Sequence, residues 1–304
     1  MTAQRAWAGE PLRARRFRPG AVLRLAADAI PPPGLVLLSV LSVQLGGGLA
    51  KHLFAVLPPS AVVFLRIATA AIVVCLMVRP RLRGLSRTDL AVGIAFGASL
   101  GLMNMSFYEA LARMPIGIAV AIEFIGPLGV AVATSRRRLD LLWVLLAGVG
   151  VVLLAPGGGG RITWAGVGFA ALAGLFWAGY ILLGAAVGRR IPGQTGLGLA
   201  MLVALVLSAP VGVVSGGTAL LSPEILLLGL GVGLLSSVIP YSIELEALRR
   251  MPKRVFGILM SLEPAAAALV GLVVLGEVLD LREWAAIGCV VAASLGSTRT
   301  AAEG

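Results

Sequence analysis

Ten stretches of about 20 mostly apolar residues follow one another along the 304-residue chain, cut apart by charges, prolines and glycine clusters. They lie near 34–56, 59–78, 89–111, 115–134, 140–156, 163–187, 196–215, 223–248, 255–276 and 283–299. A helix rising 1.5 Å per residue needs about 20 such residues to cross the hydrocarbon of a bilayer. No water reaches that region, so each backbone polar group must be satisfied within its own segment. The spans are therefore helices, and strands of alternating polarity are absent from the sequence. The expected fold class is an all-α integral membrane protein with ten transmembrane helices.

Composition agrees. Hydrophobic residues make up 59% of the chain and charged residues 13%, with a mean hydropathy of +0.99. An ordinary soluble domain is about half apolar and roughly a quarter charged. A water-soluble fold of this composition would leave its surface largely apolar. Cys75 and Cys289 fall inside apolar runs in different halves, which suits two packed thiols rather than a disulfide framework.

The net charge of +11 does not point to nucleic acid, because no basic face interleaved with polar or aromatic contacts is present. The basic residues form short clusters between the apolar runs, which orients a membrane protein. With the N-terminus inside, the inner segments hold 20 of the 25 Lys and Arg, and the outer loops hold only Arg113, Arg161 and Arg282. Lys51 and Arg66 fall within spans. Both termini are thus expected in the cytoplasm of a multi-pass plasma-membrane protein. The first apolar run lies too far in, and is too long, for a cleaved signal peptide. Within the basic tail 1–33, the segment from Leu12 to Ile30 either lies on anionic headgroups or is disordered.

A second feature sets the domain organisation. ALARMP at 110–115 returns as ALRRMP at 247–252, and at the same offset Glu109 matches Glu246 and Pro127 matches Pro264. A duplicated unit of about half the chain explains this spacing. Five spans separate the copies, so they face opposite sides of the membrane. The outer copy carries one arginine, whereas the inner copy continues into ALRRMPKR with four basic residues. The expectation is two inverted five-helix repeats, 34–156 and 163–299, joined by an external glycine-rich linker at 157–162 and followed by a tail at 300–304. Such architecture puts a substrate site near the midplane between the halves.

Ionisable groups in lipid are expensive and are candidates for function. Glu123 lies near the middle of span four. Glu263 lies about a third of the way into span nine, just before Pro264, which removes a backbone donor and frees a carbonyl one turn back. Lys51 and His52 fall in the outer part of span one and Arg66 in span two. Asn104 and Tyr108 share a face of span three at i, i+4; Tyr241 and Glu244 share a face of span eight at i, i+3. Lys51 and Arg66 read equally well as partners of a buried acid. Glu109 and Glu246 read as interfacial, and Glu277 as a loop-edge or packing residue. The glycine runs at 46–48 and 148–150 suit close helix packing.

Other chemistries find no support. GGGG at 157–160 lacks the Lys and Ser/Thr of a phosphate-binding loop, so ATP is not expected to drive the chain. One histidine and two apolar-run cysteines do not make an ordinary metal centre, and no cofactor is expected. No nucleophile with a neighbouring base stands out, which leaves a membrane-embedded enzyme or a non-transporting sensor as the remote alternative.

The segments GGGLAKHLF, GLMNMSFYEALARMPIGIAVAIEFIGPL, SRRRLDLLWV and IPYSIELEALRRMPKRVFGILMSLEPAAAALVGLVVLGE together resemble the EamA-type drug/metabolite transporters, over roughly 34–298. The resemblance implies a ten-helix exporter with a central cavity, coupled to proton entry. Within the family the nearest likeness is to exporters of small amino acids, threonine- or homoserine-like; drugs and other metabolites are the alternative cargo. Small multidrug members of the superfamily carry an essential acid in their first helix, where this chain has Lys51 and His52. A base there suits a substrate bearing a carboxylate. The implied partners are a small-molecule substrate, protons and membrane lipid, and the sequence leaves a homodimer open.

Overall fold

The computed structural model describes residues 30–80, 82–133, 139–153, 162–191, 195–251, 256 and 259–300. The N-terminal tail up to 29, most of the linker 157–162 and the last four residues lie outside them. Among the described residues the chain is helical with no strand. The helices are α1 Pro32–Leu53, α2 Pro59–Val78, α3 Arg87–Leu111, α4 Ile116–Glu123, α5 Ile125–Ala133 and α6 Leu139–Leu153. They continue with α7 Trp164–Arg190, α8 Thr195–Gly216, α9 Pro223–Gly233, α10 Ile239–Arg250, α11 Glu263–Leu275 and α12 Leu281–Thr300. A 3₁₀ turn, Gly217–Leu221, follows α8, and a π turn, Leu234–Val238, joins α9 to α10.

Local chemistry sets several ends. Proline opens α1, α2 and α9, where its missing N–H costs nothing. Ser86 and Asp89 form a reciprocal capping box at α3. The Thr163 hydroxyl accepts from Gly166 N at 3.0 Å at the start of α7. Gly276, at φ 65°, ends α11 in the left-handed conformation that favours glycine.

Helix occupies each of the ten apolar stretches, but among the described residues only five helices are long and apolar enough to cross a membrane by length and composition. These are α1, α2, α3, α7 and the helix running from Thr195 to Leu221. The shortfall comes largely from interruptions the hydropathy pattern does not carry. Span four divides at Phe124 into α4 and α5, and span eight contains the π turn. In span nine a turn at Ser261 and Leu262 precedes α11. Prolines stand just beyond each of these points, at 127, 240 and 264, each removing one helical hydrogen bond.

The core gathers around α4, in which every residue from Ile116 to Glu123 is buried. A short helix apolar all round has no side for lipid, so it sits inside the bundle. It packs between α7 and α11. Around it α3 packs on α7 and α8, α2 on α8 and α9, α1 on α10 and α11, and α6 on α12. Small residues permit the tightest crossings. A Cβ built on Gly117 would stand 2.7 Å from Ala268 Cα, and one on Gly101 3.1 Å from Ala204 Cα. Large apolar side chains such as Leu76, Leu175, Val214 and Val273 stand exposed on the outside. In water such a surface would aggregate; in a bilayer it faces acyl chains.

Candidate functional site

Two of the buried carboxylates, Glu123 and Glu263, stand at helix breaks in spans four and nine. Glu123 is the last residue of α4 and Glu263 the first of α11. Pro127 has no N–H to offer the Glu123 carbonyl, and that oxygen turns instead toward α7. A Cβ on Gly174 would stand 2.7 Å from it, so only glycine allows the approach. Glu263 sits at the positive end of α11, where the unpaired amides of a helix N-terminus favour an anion.

Arg66, buried on α2, anchors the third interruption. Its Nε donates to Ser237 Oγ at 3.2 Å and its Nη2 to the Ser236 carbonyl at 3.0 Å. Ser42 Oγ donates to the Leu235 carbonyl at 2.7 Å. The irregular backbone of the π turn is thus bonded by α1 and α2. The guanidinium also lies over the Tyr108 ring, 5.4 Å from its centroid. Arg66, Asn104 and Ser237 line a small cavity of about 10 Å³, room for about one water. The Asn104 amide donates to Leu100 O at 2.8 Å.

Glu123 lies within electrostatic reach of both Glu263 and Arg66, and Glu263 of Glu244. The Gln44 amide donates to Glu263 Oε1 at 3.3 Å, and Ser39 Oγ donates to Glu244 Oε1. Three buried polar atoms here have no hydrogen-bond partner among the described residues: Tyr108 Oη, Ser236 Oγ and Glu263 Oε2. Leaving such a group unpaired costs about 1–3 kcal/mol, so three in one region mark a place built to meet something else. A larger cavity of about 460 Å³ between α4, α5 and α7 is apolar and opens sideways past Leu175 and Leu182. It offers no polar partner to a charged solute.

The sequence-derived candidates therefore separate. Arg66, Asn104, Tyr108, Glu123 and Glu263 gather in the interior, with Glu244 beyond Glu263. Lys51 and His52 do not join them. Lys51 stands two turns along α1 from Gln44, about 10 Å away by helical rise. Its ammonium donates to the Met114 carbonyl at 2.8 Å and pairs with Glu277, whose second oxygen accepts from Ile116 N at 2.9 Å. This clasp ties α1, the α3–α4 turn and the end of α11 together. His52 is exposed, its Nδ1 3.0 Å from Gly48 O. Tyr241 lies on α10, but its side chain falls outside the described residues. Sequence reading passed over Gln44, Ser236 and Ser237; the one available signal was that Gln44 is the sole amide in the first apolar stretch.

An apolar helical bundle with buried charges gathered at interrupted helices defines a transmembrane transporter, because lipid-spanning helices lose backbone bonds only where protein or a polar path compensates. The EamA-like transporter family matches residues 164–299. The threonine/homoserine exporter RhtA of Escherichia coli (strain K12) is 40% identical over 272 residues, covering 88% of this chain and 92% of that protein. Its counterpart in Salmonella typhimurium (strain LT2) is 41% identical over 269 residues, covering 88% and 90%. The chain belongs to the EamA-like transporter family. A solved crystal structure of a protein shares the fold, with a TM-score of 0.59 at 19% identity over 88% of this chain and 98% of that one.

Proposed function

We propose that the protein exports small amino acids, threonine- or homoserine-like, across the bacterial plasma membrane by proton antiport and alternating access. The observation that carries this reading is buried Arg66, bonded to the interruption in span eight, within electrostatic reach of buried Glu123 at the break in span four. An amino-acid zwitterion needs a cation for its carboxylate and an anion for its ammonium. Arg66 takes the first, and Glu123, with Asn104 and Tyr108, takes the second. A drug-like lipophilic cation would have no use for the buried guanidinium. The names of the curated relatives support the substrate class.

The machinery is ten crossings arranged as two inverted repeats, 34–156 and 163–299. The packing supports it, because moving every span on by five maps one contact onto another. Span three lies on six as eight lies on one, three on seven as eight on two, and four on six as nine on one. Pairs two–seven, four–nine and five–ten map onto themselves. Rocking of the two halves against each other would expose the site to each side in turn.

Purified protein in liposomes tests the function. Labelled threonine is expected to move against its gradient when the opposite compartment is acidified; no movement with any small amino acid would refute the reading. Orientation is tested separately in intact cells. In a background lacking Cys75 and Cys289, Leu221→Cys in the loop after span seven should react with an impermeant thiol reagent. Leu82→Cys in the loop after span two should react only after lysis, and labelling of both in sealed cells would reverse the topology argument.

A further inference from the structure

We propose that Gln44 and Glu263 form a selectivity subsite for a substrate side-chain hydroxyl, an inference that rests on the amino-acid export reading above. The two residues come from opposite halves, 219 positions apart, and meet in the interior. Gln44 is 2% exposed and Glu263 8%. Their one contact is long, the Gln44 amide donating to Glu263 Oε1 at 3.3 Å, toward the far edge of hydrogen-bond range. The other oxygen, Oε2, is buried with no hydrogen-bond partner among the described residues.

A hydroxyl has one proton to donate and lone pairs to accept with. Placed between these side chains it accepts from the Gln44 amide and donates to Glu263 Oε2, so both groups are satisfied at once. A methyl of the same size satisfies neither. Buried polar groups left unpaired reject an isostere far more strongly than an apolar pocket separates two sizes. Positions follow the rest of the site. Glu263 is within electrostatic reach of Glu123, which takes the ammonium, and Glu123 of Arg66, which takes the carboxylate. The substrate is then held at three points. Ser236 Oγ, also unpartnered, stands against Gly46, two residues along α1 from Gln44; a Cβ on Gly46 would stand 2.9 Å from Ser236 N.

The test compares threonine with valine, which replaces the hydroxyl by a methyl, in counterflow with the protein in liposomes. Wild type is expected to prefer threonine, and Gln44→Leu to reduce that preference at least about tenfold while valine is still carried. Glu263→Gln, which keeps an acceptor but loses the charge, should retain part of the preference. Binding to detergent-purified protein, read as thermal stabilisation by each amino acid, reports the same ratio for any variant that no longer transports. A threonine-to-valine ratio in Gln44→Leu equal to wild type, by either readout, overturns the subsite. If wild type itself neither carries nor binds an amino acid, the export reading fails first.

Discussion

Glu123→Gln is expected to reach the membrane at wild-type levels, with wild-type thermal stability in detergent, and to lose pH-gradient-driven export down to the level of protein-free vesicles. The reason is charge, not packing. Glutamine keeps nearly the volume of glutamate, and the site at the end of α4 is already enclosed on all sides. What disappears is a carboxyl that pays for desolvation when ionised and can exchange that charge for a proton. In the proposed cycle a proton entering from outside competes with the substrate ammonium for Glu123, so its arrival drives the substrate outward. An amide cannot take part in that competition. Export in vesicles under an imposed pH gradient, compared with amount and melting temperature of purified protein, decides the matter. Retention of full gradient-driven efflux would make Glu123 a structural residue and pass the coupling role to Glu263.

The second large effect is steric. Gly126→Val should yield little or no detergent-stable protein, whereas Gly129→Val should match wild type in yield and melting temperature. Both glycines lie on α5, one turn apart, yet their surroundings differ. A Cβ on Gly126 would strike the Gly174 carbonyl on α7, and backbone cannot rotate out of the way as a side chain can. A Cβ on Gly129 meets nothing within 4 Å. Overpacking of a well-packed site costs about 1–3 kcal/mol, and a clash with backbone at a helix crossing stands at or beyond the top of that range. The same crossing holds the Glu123 carbonyl against Gly174, so its loss would also displace the carboxylate. Size-exclusion profiles of the two variants measure it; equal behaviour would mean that α5 and α7 are not held at this crossing.

Hydropathy and charge are properties of neighbours in the chain. That is why the membrane class, the ten apolar stretches and the candidacy of Glu123, Arg66, Asn104 and Tyr108 are all legible in the sequence alone. A carboxyl amid apolar residues is conspicuous wherever it stands, and the family's motifs run on unbroken stretches of sequence. The matched prolines at 127 and 264 even marked two of the interruptions. Their form was not legible, because a proline only removes one hydrogen bond, and the packing around it decides whether the helix bends, breaks or relaxes into a π turn.

Pairing was decided by the tertiary structure alone. Lys51 reads equally well as a companion for the substrate or as the partner of an acid; Glu277, 226 residues away, and the Met114 carbonyl engage it at the end of α1. Gln44 attracted no notice in the sequence, yet it meets Glu263 across the two halves. Which polar side chains share a site depends on where helices cross, and crossings are fixed by contacts such as Gly126 on Gly174 and Gly117 on Ala268. Those contacts join residues far apart in the chain through backbone shape. A linear pattern of hydropathy and charge has no access to that information.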